Sequence, residues 1–150
     1  MLKVLLIFII SLPAWAHWTL KRDYGKTSIF TSKHLSRLTI NYGTTVPRNK
    51  NMNLDLAKYV ENQKSKMLKF INISEWKVTD RKHEKRKDYT MIMISGTYKN
   101  PKKELIYFTE FHYYKSDRRL QALLTHTIKS ELDKDNKESL LQGFKTKYGI

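Results

Sequence analysis

Side chains that could do chemistry are few and widely spaced in this sequence. It contains no cysteine, which excludes disulfides, cysteine-ligated metals and a cysteine nucleophile. Glu104 and Glu110 share one face of a predicted strand, but six residues at about 3.3 Å each place them about 20 Å apart. A glycosidase pair needs about 5–9.5 Å, so we expect Glu110 to lie against Lys or Arg across the sheet. The sequence has no catalytic serine motif, no H-E-x-x-H and no glycine-rich phosphate loop. We therefore predict a protein that is not an enzyme and uses no cofactor.

Histidine offers one alternative, a copper site. If the chain were cleaved before His17, the new terminal amine and the His17 imidazole could chelate copper, with a second histidine completing the site. The candidates for the second ligand are His34, His83, His112 and His126. His112 and His126 lie on adjacent predicted strands, where a turn near residue 117 places His112 opposite Ala122. The two histidines therefore need not be close, and structural roles are the main expectation for them.

Basic residues are the strongest functional signal. The chain has 29 Lys and Arg against 14 Asp and Glu, a formal net charge of +15. One group lies at a predicted hairpin end and a second surrounds a later turn: Arg81, Lys82, Lys85, Arg86 and Lys87, then Lys115, Arg118 and Arg119. Because alternate turns of an antiparallel meander lie at the same end of a sheet, we expect these groups to meet. Tyr113 and Tyr114 are expected to add aromatic contacts there. This end is predicted to bind an acidic protein or an anionic lipid surface, and the alternative is a solvated rim without a partner.

The first sixteen residues have the pattern of a secretory signal peptide. A positive start that includes Lys3 precedes the apolar run Val4–Ile10, and Pro13 is followed by small residues at Ala14 and Ala16. The apolar run is shorter than the about 20 residues that span a bilayer. We therefore expect cleavage after Ala16, a mature domain over residues 17–150, and a location in the periplasm or outside the cell. Cellular nucleic acid is mostly absent there, so no nucleic-acid partner is expected.

Hydrophobic periodicity predicts the elements that position these residues. Strands are predicted over residues 27–33 and 35–42, from residue 76, and over residues 89–98, 104–115 and 119–128. Helices are predicted over residues 54–70 and, after a cap at Asp135 or Asn136, along a terminal stripe of Leu140, Leu141, Phe144 and Tyr148. The order indicates one α+β domain, with an antiparallel sheet of about five or six strands that ends in a meander and is covered by two helices.

This order of elements resembles the fold shared by the photosystem PsbP proteins and the bacterial DcrB-like proteins. The resemblance covers residues 27–148, through the helix at Asn53–Phe70, the strand at Trp76–Thr79, the meander from Tyr89 to Ile128 and the closing helix at Leu140–Phe144. It implies a non-enzymatic binding or assembly module, since some related domains serve as adaptors or immunity proteins around secreted bacterial toxins. No functional residue carries over, and the chain lacks the lipobox cysteine of DcrB.

Together, these observations predict an exported immunity or inhibitor protein that binds and neutralises a secreted bacterial toxin, such as a type VI-like effector. The alternatives are an envelope module that binds anionic lipid or lipopolysaccharide, and a periplasmic copper protein that uses His17.

Overall fold

The chain is dominated by one antiparallel sheet. The computed structural model describes residues 18–43, 72–87, 89–115 and 118–135, together with seven helical residues between positions 58 and 69. The strands are β1 (Trp18–Asp23), β2 (Thr27–Ser32), β3 (Arg37–Gly43), β4 (Ser74–Lys85), β5 (Thr90–Lys99), β6 (Leu105–Lys115) and β7 (Arg118–His126). One short helix follows, α1 (Lys129–Asp135). We call the earlier helical residues the helical segment; they are Lys58, Glu61, Asn62, Lys64, Ser65, Leu68 and Lys69.

Two meanders join to form the sheet. The strand order is β1-β2-β3-β7-β6-β5-β4, and every neighbouring pair is antiparallel. β1–β3 form one meander and β4–β7 the other, and β3 pairs with β7 in the middle. The helical segment belongs to the connection that runs from β3, inside the sheet, to β4 at its far edge. β1 and β4 are therefore the two edge strands.

Strand alternation divides the core between the two faces of the sheet. The first face carries the larger cluster, onto which α1 packs Leu132: Trp18, Phe30, Leu38, Ile40, Phe111, Tyr113, Leu120, Ala122 and Leu124. The second face carries a smaller cluster: Ile92, Ile94, Phe108 and Tyr114, with Trp76, Tyr98 and Leu123 partly buried against it. β6 has buried residues on both faces, and β5 has buried residues on the second face and partly buried ones on the first, as expected for inner strands.

The predicted α+β fold with five or six strands and two covering helices is wrong. Seven strands dominate the described residues, and the helix α1 has only seven residues. β1 was missed because, as an outer strand, it exposes every residue after Trp18 and shows no apolar alternation. β4 continues to Lys85, through the charged stretch that was predicted as a hairpin end, because an edge strand can carry charge on both faces.

Several predictions concern residues outside the described part of the chain. They are the signal peptide over residues 1–16, His17, and the terminal helix with Leu140, Leu141, Phe144 and Tyr148. Asp135, a predicted cap of that helix, is instead the last residue of α1. Among the described residues, no helix has both the length and the apolar character needed to cross a bilayer.

The pairing of β6 with β7 differs by one residue from the predicted register. His112 pairs with Gln121 rather than Ala122, and Lys115 pairs with Arg118. A shift of one residue moves a side chain to the other face of a sheet relative to its partner strand. The true register places His112 and Gln121 on the second face, beside Glu110.

Candidate functional site

The two basic turns lie at the same end of the sheet. Strand register aligns Lys85 with Thr90, Thr90 with Tyr114, and Tyr114 with Arg119, in one row across β4, β5, β6 and β7. Neighbouring strands are about 4.8 Å apart, so the backbones of β4 and β6 are separated by about 10 Å at this end. The β4–β5 and β6–β7 turns are thus close enough to act on one partner.

Four exposed lysines of this region form what we call the basic edge: Lys82, Lys85, Lys87 and Lys115. None of them has an ion pair with another described residue. Lys82 aligns with Met93 on the first face, whereas Lys85 aligns with Thr90 on the second face. The positive charge therefore flanks the outer side of β4 from both faces.

The predicted arginines contribute less than the lysines. Arg81 forms an ion pair with Glu61 of the helical segment at 2.7 Å, and Arg86 forms one with Glu84 at 2.7 Å. Arg119 is half-buried and has an interaction of its own, and the Arg118 side chain lies outside the described part of the chain. The charges of Arg81 and Arg86 are therefore already partly compensated within the protein.

Tyr113 and Tyr114 do not line the surface. Their side chains are 3% and 2% exposed and belong to the cores on opposite faces of the sheet. Tyr113 packs against Tyr89 with ring centroids 4.9 Å apart. Both tyrosines stabilise the sheet beneath the basic edge, and the predicted aromatic contacts with a partner are absent from this surface.

A buried cation lies on the second face, where the sequence had predicted only a helix on a sheet. The Lys64 Nζ atom of the helical segment is 3.3 Å from Glu110 Oε2. It also lies 3.8 Å from the ring centroid of Trp76 and 4.0 Å from that of Phe108. The Lys64 and Glu110 side chains are only 11% and 4% exposed. We call Trp76, Phe108, Glu110 and Lys64 the cation site.

Glu110 is held as a carboxylate from several sides. Burial acts to raise its pKa, but contacts with His112, Lys64 and Gln121 outweigh burial and lower the pKa to about 2. Gln121 Nε2 donates a hydrogen bond to Oε1 at 2.6 Å, and His112 Nε2 is 3.0 Å from the same oxygen. Oε1 is thus held by the sheet, while Oε2 faces Lys64.

The positive charge of Lys64 is less well compensated than the negative charge of Glu110. Burial lowers the pKa of its ammonium to about 8, and the attraction of Glu110 offsets only part of that effect. A cavity of about 40 Å³ adjoins the site, with apolar walls that include Leu68, Ile73 and Tyr98. The arrangement can stabilise a cation in an aromatic setting.

The sequence contained signals for this site that were not used. Lys64 interrupts the apolar stripe of the predicted helix, and Glu110 interrupts an otherwise apolar and aromatic strand. A cation and an anion that each break a buried face are candidates for one buried pair. Strand periodicity alone could not show that they meet, because that depends on how the connection between β3 and β4 crosses the sheet.

The histidines that the structure describes are not brought together as a metal site. His112 lies on the second face and His126 on the first. His126 Nε2 is 2.8 Å from the His34 carbonyl oxygen and therefore donates, while Nδ1 accepts from Ile128 N at 2.7 Å, so both ring nitrogens are engaged. Within the described ranges no group of three or more His, Asp or Glu side chains has metal-binding geometry. The copper hypothesis rests on His17, which lies outside those ranges.

Comparisons with known proteins leave the family open. No family model matches the chain, and no curated protein matches it. One similar solved structure is that of PA94, a protein of unknown function from Pseudomonas aeruginosa. It is 11% identical, with a TM-score of 0.49, over 89% of this chain and 96% of that one. This likeness transfers no function, and the resemblance to the PsbP and DcrB-like proteins stays a prediction.

Proposed function

We propose that this chain is an exported, non-enzymatic binding protein that neutralises an acidic secreted toxin through its basic edge. The observation that carries the proposal is the set of four exposed lysines that two hairpins bring to one end of the sheet without acidic partners among the described residues. Such a patch steers an oppositely charged protein and accelerates its encounter.

The shape of β4 supports a protein partner. β4 lies at the edge of the sheet, and its pairing with β5 is regular from Asp80 to Lys85, after two irregularities earlier in the strand. An extended partner segment can add to such an edge through main-chain hydrogen bonds. Since Lys82 and Lys85 flank the edge on opposite faces, acidic side chains on both faces of the added strand would be matched.

The same geometry argues against a membrane surface as the main partner. A flat bilayer contacts one side of a protein, whereas the lysines here project from both faces of β4. Tyr113 and Tyr114, which would have served as interfacial anchors, are buried. The predicted signal peptide would place the protein where an incoming toxin acts.

A competition assay tests this function. Cells that lack the gene are grown in contact with the parent strain, which is expected to produce and deliver the cognate toxin. We expect their survival to fall about tenfold or more relative to parent against parent, because a neutralising protein acts by tight binding. Equal survival of deleted and parent cells would exclude the toxin-neutralising function.

A sedimentation assay with anionic phospholipid vesicles separates the lipid alternative. We expect the purified chain to stay in the supernatant at physiological salt, where exposed charges are screened over about 8 Å. If the chain co-sediments with the vesicles and loses this binding when the charges of Lys82, Lys85 and Lys87 are reversed, the partner of the basic edge is a membrane surface rather than a protein.

A further inference from the structure

The cation site is built almost entirely by the sheet. Trp76 comes from β4, and Phe108 and Glu110 come from β6. The Trp76 and Phe108 rings are stacked with centroids 6.1 Å apart and an interplanar angle of 15°. Tyr98 of β5 packs on Phe108 at 5.9 Å. Only the cation itself, Lys64, comes from another element, the helical segment.

The sheet residues stay arranged without Lys64. Gln121 and His112 contact Oε1 of Glu110. The carboxylate therefore keeps two partners from the sheet when Oε2 loses its contact with Lys64. Phe108 is 2% exposed and fixed in the second core cluster. The carboxylate and the aromatic walls of the site are therefore positioned by the sheet rather than by the cation.

Lys64 is a poor match for this site. A primary ammonium is compact and strongly hydrated, and burial has lowered the pKa of Lys64 to about 8. A quaternary ammonium is permanently charged, and aromatic cages are the usual way in which proteins recognise such groups. If the Lys64 ammonium left the site, the space that it occupies would join the adjoining cavity of about 40 Å³.

We propose that Trp76, Phe108 and Glu110 form a binding site for the quaternary ammonium group of a small soluble molecule, which enters in exchange for the Lys64 ammonium. Lys64 thus acts as an internal occupant that closes the site when the ligand is absent. The site lies between the sheet and the helical segment, so it takes a free solute rather than a headgroup within a bilayer. This proposal is independent of the basic edge.

Choline is the probe for a direct test by calorimetric titration. Lys64→Ala should bind choline at least about tenfold more tightly than the unchanged chain at pH 7, because the internal competitor is gone. Trp76→Ala or Glu110→Gln, added to Lys64→Ala, should each weaken binding about tenfold. Lys69→Ala, an exposed position of the same helical segment, should bind choline like the unchanged chain.

A neutral molecule of the same shape separates cation recognition from simple filling of a cavity. 3,3-Dimethylbutan-1-ol should bind Lys64→Ala at least about tenfold more weakly than choline does. Equal affinities for the two molecules, or no choline binding to a folded Lys64→Ala, would overturn the proposal.

The unchanged chain provides a test that does not depend on the folding of a variant. Among the described residues, the titratable or charged groups on this face include Glu110 and its neighbour His112 from β6, and the Arg81–Glu61 pair between β4 and the helical segment. Burial raises the pKa of Tyr98, so this phenol stays neutral. Between pH 7 and pH 9, Lys64 loses most of its charge, while choline keeps its own. Choline affinity should therefore rise several-fold over this range, and an unchanged or falling affinity would contradict the exchange.

Discussion

Glu110 shows how one charged residue organises a sheet face. Its position on an apolar and aromatic strand predicted a basic partner across the sheet, but its neighbours in register are Ile94 and Leu123. The partner is Lys64, which arrives from the helical segment above the strand. The residue type thus predicted an ion pair with a basic residue. Which element supplies that residue depends on the path of the β3–β4 connection over the sheet, and this path has no sequence signature.

The two members of the buried pair should differ in their effect on stability. Glu110→Gln should cost about 3–5 kcal/mol of unfolding free energy, because it leaves the Lys64 ammonium buried without its counter-charge. Lys64→Met keeps the apolar stem and leaves Glu110 in contact with Gln121 and His112, so it should cost clearly less than Glu110→Gln. Urea denaturation at pH 7 measures both.

Glu75→Gln is the control for this comparison, since Glu75 forms an ion pair with Lys99 at 2.8 Å in which the Glu75 side chain is 63% exposed. It should cost less than about 1 kcal/mol. Equal losses for Glu110→Gln and Lys64→Met would show that the pair, rather than the orphaned ammonium, sets the stability.

At the scale of elements, inner strands were predictable and outer strands were not. β2, β3, β5, β6 and β7 carry apolar residues on one or both faces because their neighbours bury them, and their predicted limits lie within a few residues of the observed ones. β1 and the charged half of β4 have a strand on one side only, so solvent accepts their charges. This solvent exposure allows the lysines of the basic edge. It also removes the apolar alternation by which the charged half of β4 could have been predicted as a strand.

At Gly96 the backbone of β5 approaches that of β4 closely. A Cβ atom added there would overlap the backbone carbonyl oxygen of Lys77, in the part of β4 that lies between two irregularities of pairing. Since backbone cannot rotate away as a side chain does, Gly96→Ala should cost about 2 kcal/mol or more and loosen β4. Urea denaturation and amide hydrogen exchange along β4 measure the two effects.

Gly25→Ala is the matched control for Gly96→Ala. Gly25 has open space around a Cβ, and its φ of +77° imposes only backbone strain, at about 1–2 kcal/mol. Fast exchange confined to β4 should occur only in Gly96→Ala. A Gly96→Ala chain as stable as the unchanged one, with β4 still protected, would show that the close approach to Lys77 is not required.

At the scale of the whole molecule, exposed lysines lie at both ends of the sheet, in two separate groups. The β4–β5 and β6–β7 turns place the basic edge at one end of the sheet, while the β2–β3 and β5–β6 turns lie at the other. The sequence predicted this clustering from the alternation of turns in a meander. It could not show which charges are already neutralised, because the partners Glu61 and Glu84 of Arg81 and Arg86 are set by packing.

The lysines at the opposite end provide a control of equal charge. Lys33, Lys102 and Lys103 are exposed at the opposite end, so reversing these three changes the net charge by as much as reversing Lys82, Lys85 and Lys87. A function that depends on overall charge alone would respond equally to both triple variants. A function located at the basic edge would respond only to the reversal of Lys82, Lys85 and Lys87.

The most direct test of the account is the survival of deletion cells that carry each triple variant, in competition with the parent strain. Cells with Lys33→Glu, Lys102→Glu and Lys103→Glu should survive like cells with the unchanged gene. Cells with Lys82→Glu, Lys85→Glu and Lys87→Glu, folded and present at equal amounts, should survive about tenfold less or worse, because partner steering and contact are lost. Full protection by this second variant would contradict the assignment of the function to the basic edge.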